Sequence, residues 1–204
     1  MGFEPIVQSL LRIETLSPTP PATRPDVLVF TSRNGVAAWA SRDADRATPV
    51  LAVGPATAEA AREAGFVAIR SADGDLDGLA ALIRSDPALK GLRLRHPAAE
   101  APAGDLGALI EGHAVVETLP VYRAVETGAV PPQAFDAVLI HSPRAARALA
   151  GVLGVGAARD RIACAISVKA AAPLEALPFA EIRVAASPDE TALLARLGKP
   201  PGGV

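Results

Sequence analysis

The chain says the same thing twice. Residues 26–40 read DVLVFTSRNGVAAWA and residues 136–150 read DAVLIHSPRAARALA, aligned without a gap. Each copy is a short apolar run, a polar turn holding Ser32 or Ser142, and an Ala-rich segment with helical patterning. A second pair follows the first. LAVGPATAEAAREAGFVAIR (51–70) matches CAISVKAAAPLEALPFAEIR (164–183), with Phe66 over Phe179 and Arg70 over Arg183. The spacing far exceeds the roughly 20–50 residues of a solenoid period. It predicts two similar α/β domains, and a ligand held between domains is the usual consequence.

Composition narrows the class. A hydrophobic share of 50% with 17 Gly and 19 Pro describes a globular chain rich in turns, not a disordered one. A net charge of −2 gives no basic surface of the kind nucleic acid attracts, so no nucleic-acid partner is expected. Aromatics are only 3%, so the core must be built from Ala, Val, Leu and Ile. The single Cys164 rules out an internal disulfide and lies in an apolar run, which reads as a buried core position. No stretch approaches the ~20 apolar residues of a membrane span and no signal peptide opens the chain. A cytoplasmic monomer without membrane contact is the expectation.

Short β-like runs alternate with Ala/Leu helices, which argues for parallel sheets covered by helices. Strands are expected at 5–13, 27–30, 50–53, 67–69, 92–95, 115–122, 137–140, 163–166 and 182–185. Helices are expected at 33–40, 55–64, 77–84, 105–111, 143–149, 168–176 and 189–197. The prolines at 18–21 and 131–132 mark connectors, and 200–204 a frayed tail. The β-like segments 5–16 and 115–125 are much longer than a usual strand of about 5–6 residues. Each lies where the chain passes from one repeat to the other. They read as a two-stranded connector, with a domain at 14–117 inserted into one made of 1–13 and 118–204.

Five motifs in order then carry a family resemblance. VFTSRNGV, AVGPATAEAAREAGF, LPVYRA, LIHSPRAA and a second Ala-rich strand–turn–helix resemble uroporphyrinogen-III synthases over nearly the whole chain. The resemblance implies two flavodoxin-like parallel-sheet domains joined by a β-ladder. It also implies the closure of hydroxymethylbilane, a linear tetrapyrrole, to a macrocycle with inversion of ring D and loss of water, needing no cofactor and no metal. Family members open with an apolar strand, a TRP turn and a helix ahead of the segment matching residues 2–16. This sequence lacks them, so the second domain is expected to miss a strand and a helix.

Against that reaction the residues fall into place as candidates. Tyr122, the only Tyr, sits in LPVYRA at the family's recurrent Tyr and is the candidate catalytic group, its phenol assisting departure of the hydroxyl. The plain alternative is a ring packed under the connector. Thr31, Ser32, Arg33 and Asn34 form a strand-to-helix turn whose hydroxyls and free N–H groups suit carboxylates, although Ser32 as a simple N-cap needs no ligand. Gly54 and Thr57 make the same kind of turn after the next strand, again explicable as a plain turn. Ser142 and Lys169 occupy the matching turns of the second repeat, where the family often has Gly-Pro-Thr instead of Ser167-Val168-Lys169. Arg95 and His96 end another strand, on the side where α/β sheets bind ligands. His113 reads as a surface turn residue, and His96, His113 and His141 show no metal-ligand spacing. The competing function is a non-catalytic two-lobed small-molecule binding protein, or an inactive truncated synthase.

Overall fold

The computed structural model describes residues 3–19, 21–132 and 134–198. It is mixed α/β, with a six-stranded sheet and a three-stranded parallel sheet. The strands are β1 (Leu11–Thr15), β2 (Val27–Phe30), β3 (Val50–Ala52), β4 (Ile69–Ser71), β5 (Arg93–Ala99), β6 (Val115–Glu126), β7 (Ala137–Ile140), β8 (Ile162–Ala165) and β9 (Glu181–Val184). The helices are α1 (Arg33–Ala40), α2 (Pro55–Glu63), α3 (Leu76–Ser85), α4 (Leu106–Leu109), α5 (Pro143–Val152), α6 (Val155–Ala158), α7 (Val168–Ala171) and α8 (Glu190–Leu194).

The chain divides into two compact units, Ile13–Ala124 and Met1–Arg12 with Val125–Val204. Both crossings between them fall inside strands, β1 and β6, which are neighbours in the six-stranded sheet. The second crossing comes later than residue 117, because β6 stays paired with β5 as far as Tyr122.

In the Ile13–Ala124 unit the order is β6-β5-β2-β3-β4, with every adjacent pair parallel. Counted from β2 this is 3-2-1-4-5 read from the far edge, not the 2-1-3-4-5 order of flavodoxin. The chain steps outward through β3 and β4, then returns to the other side of β2. Val27 and Val29 face a core with Leu79, Ile83 and Leu106, while Leu28 and Phe30 face one with Trp39, Ala61, Phe66 and Val121. Helices thus cover both faces, and the alternation of period two explains why β2 is buried throughout.

In the other unit β7, β8 and β9 run parallel in sequence order. Ile140, Leu149, Ala163, Ala165 and Leu174 form its core, and Cys164 is fully buried, its thiol pushed up by desolvation.

The repeat is realised in backbone geometry. Ser32 (φ −157, ψ 153) and Ser142 (φ −158, ψ 154) cap α1 and α5, each accepting from the N–H three residues on. Gly54 (φ −161, ψ 176) and Ser167 (φ −159, ψ 164) open α2 and α7 in the same extended conformation. Several expected elements change. Strand 5–13 becomes the shorter Leu11–Thr15, and Pro5, which has no N–H for a ladder, lies outside it. Strand 67–69 moves to Ile69–Ser71, leaving Val67 81% exposed. Helix 168–176 stops at Ala171 and tightens into a 3-10 turn (Ala172–Ala176), where Pro173 cannot donate. Helix 105–111 is only Leu106–Leu109, with Gly107 inside it.

Candidate active site

In the Ile13–Ala124 unit the strand order reverses between β2 and β5, and the carboxyl ends of strands at such a switch point are where α/β sheets bind ligands. β2 ends in the turn that carries Thr31 and Ser32. Continuing its alternation puts these two side chains on opposite faces of the sheet.

Each hydroxyl meets a partner from another strand. Ser32 Oγ accepts from the Gly35 N–H (3.0 Å) and lies 2.9 Å from the Tyr122 hydroxyl. Thr31 Oγ1 lies 2.9 Å from His96 Nε2. Tyr122 reaches Ser32 because of an irregularity. The β5–β6 register shifts between Ala98 and Ala99, so that Ala98 opposes Pro120 but Ala99 opposes Tyr122. The extra residue breaks the in–out alternation, and Val121 and Tyr122 both turn into the core shared with Trp39.

Gly35 makes the close approach of α1 possible. A Cβ there would stand 2.6 Å from the Pro97 carbonyl oxygen and 3.3 Å from Ser32 Oγ. Gly35 was not singled out in the sequence; its place three residues after a capping Ser was the available signal.

His96 is 2% exposed, and burial holds its imidazole down to about 4, so it is neutral at physiological pH. Its Nδ1 has no hydrogen-bond partner among the described residues. Arg95 is 4% exposed and its guanidinium is engaged: Nη2 donates to the Thr23 carbonyl (2.7 Å) and to Glu117 (2.8 Å), beside the Trp39 ring. The shallow pockets around Thr23, Arg24, Pro25 and Arg95 lie toward the amino ends of the strands, away from the Ser32–Tyr122 pair. Arg33 and Asn34 are exposed in the first turn of α1. Gly54 opens α2 with no side-chain cap, and Thr57 is buried behind it.

In the other unit, Ser142 and Ser167 are half-buried caps and Lys169 is exposed in the first turn of α7. His141 Nε2 is 2.8 Å from Glu190 Oε2. His113 is half-buried in a turn, its Nε2 3.2 Å from the Asp86 carbonyl oxygen. Among the described residues no three His, Cys, Asp or Glu side chains cluster as metal ligands would, and no helix is long and apolar enough to cross a membrane.

Residues 1–195 match the family model described as uroporphyrinogen-III synthase HemD. The chain belongs to the uroporphyrinogen-III synthase family. Its activity is the family's, that of a cyclising, lyase-class enzyme of tetrapyrrole biosynthesis. The fold agrees. The crystal structure of uroporphyrinogen-III synthetase from Helicobacter pylori 26695 is similar with a TM-score of 0.72 at 16% identity, over 92% of this chain and 89% of that one. A mutant uroporphyrinogen III synthase from the extremely thermophilic bacterium Thermus thermophilus is similar with a TM-score of 0.53 at 18% identity, over 92% and 85%. No curated protein sequence matches significantly. The binding-protein alternative is not favoured.

Proposed function

We propose that Tyr122 is the proton donor of the cyclisation, acting on hydroxymethylbilane as a cytoplasmic monomer without nucleic acid. The observation that carries this is the Ser32–Tyr122 hydroxyl pair at the switch point. The phenol gives its proton to the departing hydroxyl, the C–O electrons leave with the oxygen as water, and an azafulvene cation remains. Carbon attack through a spiro intermediate then reverses ring D, and the proton released as the macrocycle re-aromatises returns to the phenolate. Holding the chain in one folding is the larger task, because the open substrate closes unaided to the wrong isomer.

Carboxylate binding falls to exposed cations and to free N–H groups at helix starts. Arg33 and Asn34 with the first turn of α1, the Gly54 and Thr57 turn of α2, and Ser142 with Lys169 in the other unit are the proposed contacts. The half-buried Thr31 and the buried Arg95 and His96 support the site from behind. Two α/β units, one inserted in the other through β1 and β6, are the architecture that goes with this reading. The test is the isomer made. Purified protein with hydroxymethylbilane should yield uroporphyrinogen III; isomer I alone, at the spontaneous rate, would refute the proposal.

A further inference from the structure

The turn after β2 is gripped on both faces of the sheet by residues remote in the chain. On one face Ser32 Oγ takes the Gly35 N–H and sits 2.9 Å from the Tyr122 hydroxyl; on the other Thr31 Oγ1 sits 2.9 Å from His96 Nε2. We propose that this turn is a clamp that aims the Tyr122 phenol, with Ser32 as its hydrogen-bond partner and His96, acting through Thr31, as the buried anchor. The proposal rests on the reading that Tyr122 donates the proton.

Three observations support the clamp. Ser32 is fixed by its capping bond before Tyr122 is considered, so its oxygen is a preset point to which the phenol hydroxyl can orient. Thr31 and Ser32 are consecutive and Ser32 is extended, so fixing the Thr31 side chain on one face fixes where Ser32 emerges on the other. The third is His96 itself. An imidazole 2% exposed, with one ring nitrogen unpartnered among the described residues, packs worse than Leu or Met would, because a buried polar atom without a partner is costly. Packing therefore does not account for a histidine here, while the Thr31 bond does. Burial keeps the ring neutral, able to donate or to accept, and so to set the Thr31 hydroxyl. Ser32 and His96 are positioning residues.

Tyr122 is the only tyrosine, so protein labelled with carbon-13 tyrosine gives one Cζ resonance, which reports hydrogen bonding of that phenol alone. Ser32→Ala and His96→Leu should each shift this resonance and lower kcat roughly tenfold at unchanged KM, the signature of misorientation with binding retained. His96→Gln, whose amide can still meet the Thr31 hydroxyl, should restore both toward wild type. If His96→Leu does not fold, Thr31→Val deletes the same bond at constant shape and must shift the resonance instead. A Tyr122 resonance unmoved by Ser32→Ala, or by both His96→Leu and Thr31→Val, overturns the clamp whatever the activity. A fully active Tyr122→Phe would instead overturn the proton-donor reading and leave the resonance test standing, so the two failures are distinguishable.

Discussion

Arg95 Nε and Nη2 both donate to one oxygen of Glu117, at 3.0 and 2.8 Å, with the arginine side chain 5% exposed and the carboxylate 40% exposed. A guanidinium so engaged holds the β5–β6 pair together and braces the 23–25 segment. Glu117→Gln should lower stability by about 1–3 kcal/mol, toward the lower end because the carboxylate is partly solvated. Thermal unfolding checks this, with KM expected unchanged. If Arg95→Lys raised KM and left the midpoint alone, Arg95 would be a substrate contact after all.

Tyr122→Phe keeps the ring in its core and deletes the proton. Turnover should fall by ~10²-fold with little change in KM or thermal midpoint. Lost stability with normal turnover would make the hydroxyl a structural group only.

Gly35→Ala places a methyl against the Pro97 carbonyl, which is backbone and cannot swing aside. The helix must shift, at a cost of about 1–3 kcal/mol in denaturant unfolding. The shift also disturbs the Ser32 cap, so activity should fall with stability. A neutral or stabilising Gly35→Ala would mean that α1 has room to move on β5.

Acid should destabilise the protein through His96. Its folded-state value is about 4 against an ordinary 6.5, so between these pH values the unfolded chain binds a proton that the native one does not. Stability is therefore fully present above pH 6.5 and lost as pH falls toward 4, by roughly 3 kcal/mol. Denaturant midpoints across this window should fall in wild type and fall less in His96→Leu. Parallel slopes for the two proteins would assign the acid sensitivity to other groups.

Substrate charge is the remaining expectation. The double variant Arg33→Ala, Lys169→Ala should bind uroporphyrinogen III more weakly, and the deficit should shrink as salt is raised. Unchanged affinity at low salt would take both side chains out of the site.

What was legible in the sequence was local. The Ser32 and Ser142 caps, the strand before each and the helix after each depend on contacts a few residues apart, so the repeated motif predicts them directly. The motif order was enough to point to the family. Where local signals competed, as at Pro173 in the turn after α7, the element came out shorter than its patterning suggested.

Tertiary structure decided which of these side chains meet. Alternation along β6 would send Tyr122 to the face opposite Val121, and only the register shift against β5 turns it toward Ser32. That shift depends on how two strands pair, and a slip of one residue reverses every side chain beyond it. Gly35 against Pro97, His96 on Thr31 and Arg95 on Glu117 join residues from different strands and turns in the same way. A motif announces that a serine caps a helix; it carries no record of the phenol that a bulge in another strand brings to the same oxygen.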